Sequence, residues 1–165
     1  MLDSRVLPVA LLGAALVLSG RPAAAAAPAP ACAAGQLAAS DAGTKVTGNR
    51  AVTTIQLTNN SATSCTVAGY PQVRFVRLSG ADAPVVVNQT SHDAHYTTPA
   101  PSTITLHSLR RATFLLGYPL ADAHKNACAA ISTIVIGGFA KQGTVSLPDT
   151  IAPCTTLNLS PYFTR

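Results

Sequence analysis

The chain has 165 residues, with 11 Lys and Arg against 6 acidic residues, all of them Asp, and a formal net charge of +5. This length suits a single domain behind an N-terminal segment and leaves no room for a second domain. The positive charge is scattered rather than gathered in a stripe, which argues against nucleic-acid binding.

The N-terminal segment 1–31 has the organisation of a secretory signal peptide. Arg5 precedes an apolar stretch, 6–19, and a tract of small residues with several Ala-x-Ala sequences follows. We predict cleavage near residues 25–31, which leaves a mature domain over 32–165 that is secreted or held in the cell envelope. Removing the signal leaves nine basic and five acidic residues, a net charge of +4.

Two alternatives for this segment fit the sequence less well. An uncleaved membrane anchor needs roughly 20 apolar residues, but Gly20-Arg21-Pro22 ends the apolar run early. Lipidation of Cys32 would require a larger apolar residue where Ala29 stands. No later segment has the length and apolarity of a membrane span, so we predict no integral membrane segment after signal removal.

The mature chain has the patterns of β-strands separated by turn residues. Apolar and polar residues alternate with a period of two, or form short apolar runs bounded by Gly, Pro, Asn and Asp. The predicted strands cover 53–58, 72–78, 84–88, 103–106, 112–118, 131–136, 144–147 and 155–160.

Several details of these strands are also predicted. A slip of phase at Val76 indicates a bulge or an edge strand, and the nearly continuous apolar run 131–136 indicates a central strand. Residues 121–130 are the one segment predicted as a short helix. The pattern favours an all-β fold, an immunoglobulin-like β-sandwich of about seven to nine antiparallel strands. The tryptophan that marks true immunoglobulin domains is absent.

Four cysteines lie in the mature part: Cys32, Cys65, Cys128 and Cys154. An even number of cysteines in an exported chain indicates disulfides. Three pairings are possible, of which we favour Cys32–Cys65 and Cys128–Cys154, closing loops of about 33 and 26 residues. A structural zinc site is disfavoured because its cysteines usually come as close Cys-x-x-Cys pairs.

The segment 57–73 is the most specific stretch of the sequence. Leu57-Thr58-Asn59 is followed by a Ser-x-x-Ser-Cys-Thr sequence from Ser61 to Thr66, and then by Gly69-Tyr70-Pro71 with Val73. With Cys32, the Ala112-Thr113-Phe114 strand and the two late cysteines, this pattern resembles an actinobacterial exported family, domain of unknown function 4232. The residues before Ala112 depart from that family's pattern. The resemblance implies a disulfide-bearing β-sandwich in or beyond the envelope and implies no activity.

His92-Asp93-Ala94-His95 is the one constellation with metal-ligand residue types. His92 and His95 would point to opposite faces of a strand and converge only on a helical turn. We expect a solvated loop here and keep metal binding through His92 and His95 as an alternative. No cofactor is predicted.

Catalytic motifs are missing from the sequence. The Gly-x-Ser-x-Gly elbow of many serine hydrolases does not occur, and no pair of aspartates is placed for glycoside hydrolysis. We therefore expect no enzyme activity, and a hydrolase with an unrecognised site is the second alternative.

The densest positive charge lies at Arg74/Arg77 and Arg110/Arg111, which suits either solvated strand faces and turns or contact with an anionic polymer or a protein partner. Tyr70 and Tyr118 are candidate aromatic anchors for an interface, with packing at a sandwich corner as the alternative expected for Tyr70. The leading hypothesis is a non-enzymatic binding or interaction module. Its partner would be an envelope or extracellular protein or polymer, met through loops on a rigid scaffold.

Overall fold

The computed structural model describes residues 27–124, 128 and 130–164, and these residues form an all-β fold. A short 3-10 turn, Ala34–Gln36, precedes the first strand. The strands are β1 Leu37–Thr47, β2 Arg50–Asn59, β3 Cys65–Ala68, β4 Gln72–Arg77, β5 Val86–Gln89, β6 His92–Asp93, β7 Tyr96–Thr97, β8 Thr103–Leu106, β9 Arg111–Pro119, β10 Ile131–Gly137, β11 Val145–Ile151 and β12 Thr156–Leu159.

Two principal sheets enclose one core. The larger sheet has the order β1-β2-β9-β12-β5, the smaller has the order β11-β10-β4, and β3-β8 and β6-β7 are separate two-stranded ribbons. Apolar residues of both principal sheets belong to one buried cluster, which includes Ile55, Phe75, Phe114, Ile134 and Leu157. The all-β prediction is therefore confirmed.

The strand count and direction differ in part from the sequence prediction. The described residues form twelve strands rather than seven to nine, since β1, β3 and the short ribbon β6-β7 lie where no strand was predicted. One pair, β5 with β12, is parallel, whereas the other pairs are antiparallel. Strand β1 escaped prediction because most of it, from Ser40 to Thr47, is exposed and carries no apolar alternation.

The period of two explains the central strands of the larger sheet. In β2 every second residue is buried, from Ala51 to Asn59. In β9 the predicted inward residues Ala112, Phe114, Leu116 and Tyr118 are all buried in the core. Tyr118 is only 2% exposed, so the prediction that it is an exposed anchor for an interface is wrong.

The irregularity near Val76 has a structural counterpart. Strand β4 is an edge of the smaller sheet, and β10 is its centre, as predicted. The register between them shifts at Ser132, an extra residue of β10 opposite Val76 and Arg77. The edge strand, one of the two predicted alternatives, is thus confirmed, whereas the extra residue lies in the partner strand β10 and not at Val76.

Both favoured disulfides are present, Cys32–Cys65 and Cys128–Cys154. The first joins the N-terminal segment to β3, where Ala31 also bridges to Thr66. In the predicted helix 121–130, the described residues form no helix, and residues 125–127 and 129 lie outside the described part. The predicted signal peptide lies outside it as far as residue 26. No helix within the described residues has the length and apolarity needed to cross a bilayer.

Candidate ligand-binding face

Strand β9 is buried on both of its faces. Thr113, Leu115 and Gly117 alternate with the core residues and point away from the core, yet all three are buried. The C-terminal segment pairs with β9, since Phe163 exchanges two backbone hydrogen bonds with Thr113, and Phe163 lines the same side of the sheet as Leu115. The side of β1, β2 and β9 turned away from the core is called the outer face below.

The β6-β7 ribbon also covers the outer face and is held there by Asp93. The Asp93 side chain is 1% exposed, and its Oδ2 accepts hydrogen bonds from Arg50 Nη2 at 2.8 Å and from Asn158 Nδ2 at 2.5 Å. Its Oδ1 accepts one from the backbone N–H of His95 at 2.9 Å. Burial raises the pKa of Asp93, but the hydrogen bonds from Asn158 and His95 and the charge of Arg50 outweigh it. The pKa therefore lies below its ordinary value of 3.8.

Close packing at Gly117 explains how the ribbon lies so near the sheet. A Cβ at this position would lie 3.0 Å from Tyr96 Cε1 and 3.3 Å from Asp93 Oδ2. An added Cβ would therefore require the Tyr96 or Asp93 side chain to shift by a few tenths of an ångström. The ribbon therefore depends on three features together: the glycine in β9, the Asp93 carboxylate and the cation on β2.

A cavity of about 570 Å³ opens at one end of the outer face, and we call it the arginine cavity. Three basic side chains, His107, Arg110 and Arg111, line it together with Gln56 and Thr113 of the sheet. Arg111 Nη1 donates to Gln56 Oε1 at 3.3 Å, which holds that guanidinium against the sheet. No aspartate of the described residues lines this cavity, so the formal charges that line it are those of Arg110 and Arg111.

The loop that precedes β9 and carries Arg110 is fixed by Asn59. This fully buried residue donates its backbone N–H to the Arg110 carbonyl and accepts at its own carbonyl from the Leu109 N–H at 2.7 Å. Its side-chain amide donates to the carbonyls of Thr63 and Leu106. Leu109 adopts a φ of 60°, a left-handed conformation that costs a non-glycine residue energy. Surrounding contacts therefore determine this loop, not its own preferences.

The Ser-x-x-Ser-Cys-Thr sequence, which follows Asn59, contacts the same loop. Ser61 donates from its N–H and its hydroxyl to Asn59 Oδ1, and Ser64 Oγ lies 2.8 Å from His107 Nδ1. The most specific stretch of the sequence and the Arg110/Arg111 pair therefore form one unit in space. The residues directly before Ala112 depart from the pattern of the resembled family, and they nevertheless form a turn.

A second cavity of about 450 Å³ lies farther along the outer face, and we call it the hairpin cavity. The β6-β7 ribbon provides one wall with His95 and Tyr96, and β1 contributes Lys45. Leu115 and Phe163 provide apolar surface there. No aspartate of the described chain lines this cavity either.

The two predicted metal-ligand histidines occupy different positions. His92 is exposed on β6, where its Nδ1 lies 2.8 Å from Ser91 Oγ, whereas His95 is in the turn and lines the hairpin cavity. The ribbon replaces the solvated loop that was expected there. Among the described residues, no group of three or more His, Cys, Asp or Glu side chains is arranged to hold a metal ion.

The other predicted interface residues lie elsewhere. Arg74 is paired with Asp82 on the surface of β4, and Arg77 lines a separate cavity of about 210 Å³. Tyr70 is half-buried beside Tyr162 in a cavity of about 140 Å³. Of the two arginine pairs, only Arg110/Arg111 lines the outer face.

Sequence reasoning missed Lys45, Gln56 and Phe163 as members of the site, and it read Asp93 only as part of a histidine motif. The strand period shows that Gln56 faces outward, but nothing local shows that it meets Arg111. Phe163 lies beyond the last predicted strand. Its place depends on backbone pairing with a residue 50 positions earlier, Thr113.

Comparison with known proteins gives a family and no further relative. A search of curated proteins and a search of solved structures each gave no match to this chain. A family model, Domain of unknown function (DUF4232), matches residues 32–162, which include both disulfides, the Asn59 turn and the arginine loop. The chain belongs to the DUF4232 family.

Proposed function

We propose that this protein is an exported, non-enzymatic binding module whose ligand is anionic and binds in the arginine cavity. One observation carries the proposal. Three basic side chains line a cavity on the larger sheet: His107 and Arg110 lie in a loop that a fully buried asparagine fixes, and Arg111 begins β9. The left-handed backbone of Leu109 costs conformational energy and persists because surrounding contacts impose it. Such strain concentrates at functional sites, so it supports a role of this loop in binding.

The chemistry of the cavity suits an anion. A guanidinium presents planar N–H donors that match carboxylate and phosphate oxygens, so Arg110 and Arg111 provide both charge and directed hydrogen bonds. Gln56 and Thr113 add polar groups from the floor of the cavity. Both arginines are exposed, so the attraction depends on ionic strength, with a screening length of about 8 Å at physiological salt.

Two alternatives have less support. Metal binding by His92 and His95 lacks a third ligand among the described residues. A hydrolase would have two Ser–His contacts to use among the described residues, Ser64 with His107 and Ser91 with His92, but both are made at Nδ1. No aspartate of the described residues lines the cavity to complete a triad.

The binding proposal is tested by nuclear magnetic resonance titration with tripolyphosphate as the probe. We expect amide shifts at residues 107–111 and at Gln56, and an affinity at least tenfold weaker in Arg110→Ala/Arg111→Ala. The matched control is Arg74→Ala/Arg77→Ala, which removes the same charge from the other sheet and is expected to change affinity less than threefold. Equal losses in the two variants would show that only net charge matters and would contradict the proposal.

Export is proposed on the N-terminal sequence and the two disulfides, which suit an oxidising compartment. Intact mass spectrometry of the protein from culture medium and envelope fractions tests it. We expect a mature start between Ala26 and Cys32 and a gain of four hydrogens on reduction. A full-length chain confined to the cytoplasm would contradict it.

A further inference from the structure

The two cavities of the outer face are successive parts of one surface. In the register of β2 with β9, Gln56 pairs with Thr113 in the arginine cavity, and the next pair on that face, Thr54 with Leu115, lines the hairpin cavity. Residues two apart on a strand share a face. The two cavities are therefore neighbours on one side of the sheet, next to each other along β2.

Basic groups mark both ends of this surface. Arg111 pairs with Thr58 at one end, and Lys45 pairs with Val52 at the other. The two pairs are six positions apart on β2, which corresponds to about 20 Å along the strand. His107 and Arg110 accompany the first end, and His95 accompanies the second.

The stretch between the two ends is uncharged. It consists of the Thr54 and Thr113 side chains, the buried Leu115 and the half-buried Phe163. Asp93, the acidic residue of the neighbouring ribbon, is turned to Arg50 and Asn158 and is 1% exposed, so it does not face a ligand. Neither cavity is lined by any of the aspartates that the structure describes.

This spacing matches a chain of charges better than a single small anion. One phosphate or carboxylate reaches only one end, because 20 Å exceeds the length of any hydrogen-bonded contact. We infer that the outer face binds a linear polyanion, which follows the direction of β2 with anionic groups at both the arginine and the hairpin cavity. The inference rests on the proposed function and adds the second subsite and the class of ligand.

Two sources supply such chains at a cell surface, phosphate polymers and polysaccharides of uronic acids, and they share the chemistry of anions repeated along a flexible backbone. Long-chain polyphosphate and alginate oligomers serve as the two probes, and tripolyphosphate is the short reference. Either probe binding more tightly per anionic group than the short reference supports the inference, and the stronger one identifies the source. If neither does, the inference is overturned.

The second subsite is tested with Lys45→Ala/His95→Ala. His95 contacts Asp93 through its backbone N–H, so alanine keeps that hydrogen bond. We expect about tenfold weaker binding of the long probe and unchanged binding of tripolyphosphate. The control Lys141→Ala/His124→Ala removes the same residue types from exposed positions that line neither cavity.

The outcomes separate this inference from the proposed function. If Lys45→Ala/His95→Ala loses no more affinity for the long probe than its control, the second subsite is wrong. The arginine cavity then still stands if Arg110→Ala/Arg111→Ala weakens tripolyphosphate binding. If that arginine variant has no effect on either probe, both proposals fail.

Discussion

Replacing Asp93 by alanine removes the carboxylate that holds the β6-β7 ribbon to the larger sheet. Three donors then lose their acceptor: Arg50 Nη2, Asn158 Nδ2 and the His95 N–H. Removing one partner of a buried ion pair typically costs about 3–5 kcal/mol. The Arg50 side chain is 31% exposed and regains water when its partner is lost. We therefore expect a loss at the lower end, about 3 kcal/mol in the free energy of unfolding.

Urea unfolding followed by far-ultraviolet circular dichroism measures this loss. In a domain of this size a change of about 3 kcal/mol corresponds to roughly 10 °C in Tm. The matched control is Asp82→Ala, which breaks a surface pair with Arg74 whose side chains are 56% and 61% exposed. Exposed pairs contribute about 1 kcal/mol or less, so the control is expected to remain close to wild type.

The pH dependence of the Asp93 effect has a definite sign. Because the folded pKa of Asp93 lies below 3.8, its stabilisation is present above that pH. It is lost as the pH falls further through the folded value, so the difference between wild type and Asp93→Ala should shrink in strong acid. A loss in Asp93→Ala no larger than in Asp82→Ala at neutral pH would refute the reasoning.

Three further predictions concern other parts of the fold. Asp149→Asn is expected to stabilise the protein by about 1 kcal/mol at neutral pH. Burial, and then the nearby Asp41, raises the pKa of Asp149 above 3.8, and its buried Oδ2 has no hydrogen-bond partner among the described residues. The stability that this group contributes is fully present below pH 3.8 and is lost as the pH rises through the folded pKa. Urea titrations should therefore show that the stability gained in Asp149→Asn vanishes in acid. A gain that persists there would contradict the assignment. Gly117→Ala is expected to cost about 1–3 kcal/mol by urea unfolding, since the added Cβ meets Tyr96, and a neutral effect would show that the ribbon is loosely held. Replacing Cys32 and Cys65 together by alanine should cost about 4 kcal/mol, the loop-closure value for a separation of 33 residues, and a loss below 1 kcal/mol by the same assay would indicate that other contacts already fix the N-terminal segment.

The candidate site shows where local information ends. The Arg110/Arg111 pair and the Asn59 motif are both visible in the sequence, but they lie about 50 positions apart and their function depends on being joined. Asn59 joins them through backbone hydrogen bonds to Leu109 and Arg110. Backbone pairing of this kind is independent of side-chain type, so no residue pattern predicts it.

The sequence by itself determined the all-β class, the core faces of β2 and β9 and the central place of β10, because burial on a sheet imposes a pattern on local residues. It also indicated the family, through the motif from Leu57 to Val73. Only the tertiary structure decided what the outer face carries. The exposed strand β1 and the ribbon at Asp93 are fixed by distant partners, Arg50 and Asn158 among them, rather than by their own propensity. Long-range hydrogen bonds therefore hold the segments that line both cavities, whereas the local alternation of apolar and polar residues determines the sheet on which they lie.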